Sequence, residues 1–325
     1  MSYSIALEDF SSLERNWEEL VLACSESHIF FTPQWQKAWW QQFGGGKELL
    51  LLSMRQDGEL VGIAPLMRHG ESISLIGGSD VCDYMDFIAS PGQERACLAL
   101  LLDYLESMSW HYIDLQSLLP HSIALNHLAP LAREKDYSVE ITKEDVSPQV
   151  ILPRSWEDYF SQLKGKDRHE LRRKLRRLSQ VKSHFYVVEN GERLHQDLED
   201  FFRLFEQGKG EKEEFMTDQM RGFFEAMASS AAAKGYLRLA FLEVEGQRVA
   251  SAIYFDCWDH FHLYNSGYDP GYASLSVGLL CKVFCLKEGI LEGKRRFDFL
   301  RGAEAYKYDM GGQDVPIYRC LIYRR

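Results

Sequence analysis

The sequence predicts an α/β fold, α+β within each half, in which one unit occurs twice, each copy a mixed, mainly antiparallel sheet flanked by helices. Three observations predict it. With Leu49 laid on Leu237, the hairpin LLLLSMRQDGELVGIAPLMRH aligns with LRLAFLEVEGQRVASAIYFDC without a gap, and Gly58 meets Gly246, Val61 meets Val249 and Ala64 meets Ala252. Asp57-Gly58 and Glu245-Gly246, set between apolar runs, are hairpin turn signals. Each hairpin is followed by a third strand, a helix and a further strand: Gln93–Met108 then Trp110–Leu115, and Ser276–Leu291 then Arg296–Leu300.

The remaining elements follow from periodicity. A short strand is expected at Tyr3–Leu7, then helices at Ser11–Cys24, Pro33–Phe43 and Ile123–Lys135. Strands are expected at Tyr137–Thr142 and Gln149–Leu152, with the domain boundary near Ser147-Pro148, giving units 1–147 and 148–325. A long helix, Trp156–Val181, a strand at His184–Glu189, and helices at Leu194–Gln207 and Thr217–Lys234 complete the second unit. GKGEKEEFM, 208–216, is polar and glycine-containing, a loop and candidate lid.

Of the 325 residues 46% are hydrophobic and 26% charged, the profile of a globular protein with a sizeable core. A net charge of −11 argues against generalised nucleic-acid binding. MSYSIALEDF has no basic start or apolar centre of a signal peptide, and no apolar run approaches the ~18–20 residues that span a bilayer. Seven scattered cysteines form no CxxC pair, so a reduced, cytoplasmic protein is expected.

One segment runs against the charge of the whole. Residues 164–182, KGKDRHELRRKLRRLSQVK, hold nine Lys and Arg against two acids, so they carry +7 and the remainder −18. Leu171, Leu175 and Leu178 form an apolar stripe, so the helix docks by its leucines. Arg168, Arg172 and Arg176 share one face, and Arg173 and Arg177 another. Like charges at this spacing are mutually destabilising, which acidic neighbours or a bound anion would relieve. Such an anion is the phosphate of a donor such as coenzyme A or a carrier protein's pantetheine arm, tRNA backbone, or an acidic headgroup; arginine's planar fork suits phosphate.

A second cluster lies at the end of the last paired strand. Asp298, Arg301, Glu304 and Lys307 fall at the carboxyl end of a sheet, where α/β folds keep their ligands. His260 and His262 share a strand face without a third ligand nearby, so no metal is assigned. No GxSxG, HExxH or P-loop pattern occurs.

PQWQKAWWQQFGGG, DYMDFIASPG, RHELRRKLRRL, YNSGYDPGYASLSVG and DFLRGAEAYKYDMGG together resemble one branch of the GNAT superfamily. That branch joins CelD/BcsL-like proteins of cellulose and exopolysaccharide clusters with Fem-type peptidyltransferases. The resemblance implies two fused GNAT-like units and transfer of an acyl or aminoacyl group to an amine. It sets Lys307 on the lysine of an aromatic-Lys motif, here Tyr306-Lys307, and Asp298 on the strand's acid. One departure bears on the donor: DPGYASLSVG lacks the Gln/Arg-x-x-Gly-x-Gly/Ala loop of ordinary GNAT enzymes. Ser276 and the amides opening the next helix remain available to a phosphate. Acyl-CoA, acyl carrier protein and aminoacyl-tRNA all stay open.

Acyl transfer by direct attack needs a neutral amine, a polarised carbonyl and a proton for the leaving group. Asp298 and Glu304, with Asp269 behind them, are the candidate bases. Arg301 and Lys307 are candidates for binding a substrate anion or the tetrahedral oxyanion. Tyr268 or Tyr306 would protonate the leaving group, and Arg168, Arg172, Arg176 and Ser276 would bind the donor. Ion pairs and core packing are the competing uses of the same side chains. The expected acceptor is a small-molecule, sugar or peptide amine, with no resident cofactor; acyl-CoA or acyl carrier protein is the co-substrate. Two rivals are an aminoacyl-tRNA-dependent peptidyltransferase and a non-catalytic scaffold of envelope biosynthesis. The first unit is expected to shape the cleft without catalysing.

Overall fold

Residues 1–145 with 315–325 form one unit of the chain and residues 146–314 a second. The computed structural model describes residues 2–24, 27–188, 191, 193–208 and 215–324, so most of the predicted lid at 208–216 lies outside the described residues.

In the first unit, strand β1 (Tyr3–Leu7) leads into helix α1 (Phe10–Ala23). Asp9 caps that helix, its carboxylate accepting the Ser12 amide while Ser12 Oγ accepts the Asp9 amide, so both first-turn donors are satisfied. Phe10, Leu13, Trp17, Leu20 and Val21 recur at helical spacing and are buried. Helix α2 (Pro33–Phe43) begins on a Thr32 cap with proline in its first turn. Strands β2 (Glu48–Gln56), β3 (Glu59–His69) and β4 (Ser72–Leu75) make an antiparallel meander. A two-residue strand, β5 (Ile88–Ala89), pairs with β3. Helix α3 (Glu94–Glu106) crosses over to β6 (Tyr112–Leu118), which lies parallel to β4. A π-turn at Ala124–Leu128 runs into α4 (Ala129–Glu134) where a single helix is predicted.

Strand β7 (Ser138–Ile151) carries the chain across the boundary as one strand of 14 residues, where two are predicted. The helix expected over 156–181 is two, α5 (Trp156–Gln162) and α6 (Gly165–Leu178). The break falls at Leu163, which leaves helical geometry at ψ 145° and buries its side chain. After β8 (Ser183–Val187) come α7 (Leu194–Glu206) and α8 (Asp218–Ala233). Then follow β9 (Leu237–Val244), β10 (Gln247–Cys257) and β11 (His260–Tyr268), an antiparallel meander. Helix α9 (Val277–Leu291) leads to β12 (Arg296–Asp298), parallel to β11, and α10 (Ala305–Asp309) precedes β13 (Gln313–Tyr323).

The strand order β1-β2-β3-β4-β6-β13 of the first unit is repeated by β8-β9-β10-β11-β12-β7 of the second. Direction matches at every step: in each unit one pair is parallel, β4 with β6 and β11 with β12, and the others are antiparallel. The two hairpin turns also agree. Asp57 and Gly58 have φ of 50° and 92°, Glu245 and Gly246 φ of 51° and 78°, the paired positive angles of a type I′ turn.

The domain limits differ from the predicted ones at the carboxyl end. Residues 315–325 belong to the first unit, because β13 pairs with β6 and buries Ile317, Cys320 and Ile322 there. Arg319 adds a bidentate pair to Asp114, both contacts at 2.8 Å. The second unit's core packs α9 (Leu280, Cys281, Cys285, Leu286) onto Tyr254, Phe261, Leu263 and Phe297 of the sheet. No helix among the described residues is long and apolar enough to cross a membrane.

Candidate functional site

In the second unit the sheet opens between two strands that begin as neighbours. β12 pairs with β11 only over Arg296–Asp298, facing His260–His262. Beyond Asp298 the chain keeps to β7: the Phe299 amide donates to Pro148 O at 3.0 Å and the Gly302 amide to Val146 O at 2.9 Å. β11 meanwhile runs on to Tyr268 against β10, and the β10 register skips Tyr264. Such a bulge bends its strand and re-aims the local backbone. The result is a notch between the second half of β11 and the loop after β12.

Helix α7 closes one side of β11. A Cβ on Gly267 would lie 2.3 Å from the Phe205 amide nitrogen, so only glycine admits this approach. On the other side, the first turn of α9 rests on Tyr268: a Cβ on Gly278 would sit 2.7 Å from its Cδ1. Ser276 has left-handed backbone (φ 58°, ψ 34°) and no side chain caps the helix, so the opening amides of α9 and their partial positive charge are not taken up by a capping side chain. Tyr268, the predicted leaving-group acid, thus packs against the first turn of the helix that follows Ser276, a predicted donor-binding residue.

The basic helix α6 lies beside this helix start. Arg177 donates to Ser274 O at 2.8 Å, two residues before Ser276. Lys282, one turn into α9, is buried, donates to Gly278 O at 3.1 Å and stands 4.7 Å over the Tyr306 ring. Sequence reasoning missed both as site residues, although the Arg173/Arg177 row was visible in the spacing. The predicted row of Arg168, Arg172 and Arg176 lies on a different face, where Arg172 stacks 5.0 Å over Phe160. Arg173 and Lys174 share Glu170, at 2.6 and 3.7 Å, and the Arg173 guanidinium draws the Glu170 carboxyl down to about 2. Glu170 thus offsets Arg173 and Lys174, whereas among the described residues no carboxylate lies within ion-pair distance of Lys166, Arg168, Arg172 or Arg176. A cavity of about 110 Å³ lies beside α6 and α9, lined by Lys166 and Lys174, by the carboxylates Asp167, Glu170 and Asp309, and by Leu171, Leu279 and Met310, so its charge is mixed.

Asp298 and Lys307 are elsewhere than a catalytic reading requires. Asp298 is 0% exposed; it accepts from Ser147 Oγ at 3.0 Å, Gln149 Nε2 at 2.9 Å and the Leu300 amide at 2.8 Å. Lys307, 2% exposed, donates to the carbonyls of Leu300, Arg301 and Gly302 at 2.9, 2.6 and 3.0 Å and pairs with Glu304 at 2.9 Å. These two charges hold the turn that steers the chain away from β11. Both side chains are enclosed and so have no face open to an incoming amine. Arg301 contributes its carbonyl to the same clasp. Glu304 remains 56% exposed. Tyr306 packs edge-on to Phe299, and burial pushes its phenol well up, away from proton donation near neutrality. Asp269 accepts the Gly271 amide at 2.8 Å and caps the turn before α9.

His262 is fully enclosed, and burial, then His260 and Arg296, pull its imidazole down to about 3. Ligand atoms of His195, Glu199 and Glu225 lie within 4.8 Å of one another on exposed faces of α7 and α8, but Arg221 already engages Glu199 at 3.3 Å, and we assign no metal there.

Residues 165–308 match the family described as "Acetyltransferase (GNAT) domain". No curated protein matches the chain. Among solved structures it is similar to FemX, with 10% identity, a TM-score of 0.67, and 98% of this chain and 97% of that one covered. It is also similar to L-PGS from Bacillus licheniformis (13% identity, TM-score 0.59, 90% and 91% covered). A tandem GNAT protein from the clavulanic acid biosynthesis pathway matches at 10% identity and TM-score 0.54 over 98% of both chains. At these identities the likeness is one of fold, and it spans both units. Residues 165–308 are thus similar to the acetyltransferase (GNAT) domain family, on a fold shared with these structures.

Proposed function

We propose that the second unit is an N-acyltransferase that moves an acyl group from a phosphate-bearing thioester, acyl-CoA or acyl carrier protein, to an amine by direct attack. The observation that carries this reading is the uncapped start of α9, flanked by Arg177 and opening beside the notch where β11 and β12 part. Backbone amides at a helix start with an adjacent guanidinium suit a phosphate. The thioester then lies along the notch, its carbonyl oxygen toward the bulged backbone of β11, where amide donors favour the developing oxyanion. The amine nitrogen bonds to the carbonyl carbon, the carbon–sulfur bond breaks, and the thiolate takes a proton from Tyr268. The amine's proton passes to Glu304, the one nominated base with an exposed carboxylate besides the capping Asp269. Asp298 and Lys307 position this site and touch no reacting atom. The acceptor is a sugar or peptide amine, as in the envelope-associated branch the motifs resemble.

A second reading rests on the unneutralised row Arg168, Arg172 and Arg176, which fits the backbone of an aminoacyl-tRNA donor, with the Fem-like fold in support. Titration of the full chain with acetyl-CoA and with aminoacyl-tRNA, read by thermal shift and by product mass, separates the two. Stabilisation and amide formation with acetyl-CoA supports the first; with aminoacyl-tRNA alone, the second. Neither donor giving stabilisation or product would leave a scaffold and defeat both.

A further inference from the structure

The first unit repeats the topology of the second but not the cations at its helix start. The counterpart of the donor cleft lies where β6 ends and α3 begins. There the unit holds a cavity of about 120 Å³, bounded by the segment after β4, the start of α3, the end of α1 and the turn after β6. In the second unit the equivalent helix start is flanked by Arg177 and Lys282. In the first, Glu94 occupies the opening turn of α3, and among the described residues the cavity is lined by Asp86, Glu94, His28 and His121 but by neither Lys nor Arg.

Asp86 sits in the cavity wall, 9% exposed, accepting amides from Phe87 at 2.9 Å, Ile123 at 2.7 Å and Ala124 at 3.0 Å. Those three bonds hold the carboxylate rigidly at the turn after β6. Burial pushes its carboxyl up to about 7, so above neutrality it is an anion in the wall of a cavity that opens to solvent. Rings complete the wall: His28 lies 4.8 Å from Tyr84 and 5.3 Å edge-on from Phe31. An anionic ligand would meet two carboxylates, which disfavours a phosphate there. A protonated amine with a short apolar tail meets both features, its charge on the carboxylates and its methylenes on the rings. By comparison with a cavity of roughly 150 Å³ that admits benzene, the space suits a tail of about four to six heavy atoms.

We propose that the first unit binds a small primary alkylammonium compound in this cavity, with Asp86 and Glu94 as its anionic partners. The inference is independent of acyl transfer by the second unit, because binding is read without any donor.

The test uses the full chain at pH 8 with n-butylammonium as probe, and n-butanol and butyrate as neutral and anionic controls of matched shape. Binding is followed by calorimetry and localised by alkylation of Cys24, which lines the cavity and is the one cysteine of the seven not fully buried. Saturable binding of butylammonium that slows Cys24 alkylation is expected, with both controls at least tenfold weaker. Asp86→Asn should weaken it about tenfold. Should Asp86→Asn fail to fold, Glu94→Gln, at the helix surface, is expected to weaken binding several-fold in a stable protein. Absence of saturable binding, equal binding of butyrate or butanol, binding without protection of Cys24, or indifference to Glu94→Gln would each overturn the proposal.

Discussion

The Asp298 carboxylate accepts the Leu300 amide at 2.8 Å and so holds a leucine at φ 60°, a conformation that side chains other than glycine rarely adopt. Lys307 grips the same residue by its carbonyl. Lys307→Met leaves three enclosed carbonyls short of a donor, and Asp298→Asn sets an amide NH₂ against donors. We expect each to cost about 3 kcal/mol in urea unfolding. A variant with an unchanged unfolding midpoint and no activity would instead return the residue to the chemistry.

Gly278→Ala tests the seating of Tyr268 on α9. Its new methyl would stand 2.7 Å from Cδ1 of the ring. Alanine gains up to about 1 kcal/mol of helix propensity, which offsets part of the crowding. The melting temperature should therefore move little while donor affinity falls about tenfold. Equal donor affinity in variant and parent would remove Tyr268 from the donor site.

Gly267→Ala should behave differently, since the atoms it meets are backbone of Leu204 and Phe205. A helix cannot swing aside as a ring can. We expect about 2–3 kcal/mol of destabilisation, measured by chemical unfolding. A parent-like midpoint would mean that α7 does not press on β11.

Arg177→Ala should weaken acyl-CoA binding about tenfold, whereas Arg172→Ala, on the other face, should change it little. The reverse ranking, joined to a steep salt dependence with aminoacyl-tRNA, would favour the tRNA-dependent reading.

Acid should act oppositely on the two units. His262 titrates near 3 when folded and near 6.5 when unfolded, so stability present above about pH 6.5 is lost as pH falls toward 3. Asp86 titrates near 7 when folded and near 4 when unfolded, so its folded form gains stability as pH falls from about 7 to 4. Hydrogen exchange at pH 7 and 4.5, corrected for intrinsic rates, should show protection falling around His262 and rising around Asp86. Parallel changes in both units would contradict the enclosure of one or other group.

The duplication was legible because hairpins carry local signals: two Gly-containing turns at matching positions announce their strands and register. Ser276 was legible as the opening of a helix. Burial was less so. Asp298 and Lys307 read as charges at a strand end, yet the carbonyls that satisfy Lys307 and the Ser147 and Gln149 that satisfy Asp298 belong to partners no spacing rule reveals. The cavity around Asp86 was illegible for the same reason, as its walls come from three separated segments. Helix α6 was extended too far because Leu163 suits a helical stripe equally well as a buried break.

Because β13 completes the first unit with residues 315–323, the whole of the second unit is threaded between two strands of its sibling. Severing the chain at 147 would not release an intact half: it would leave β6 with an open margin carrying Ile113 and Leu115, and a surface inviting other chains to pair. The second unit is anchored at both of its ends, and a nested folding order follows, with the earlier-made unit finishing last.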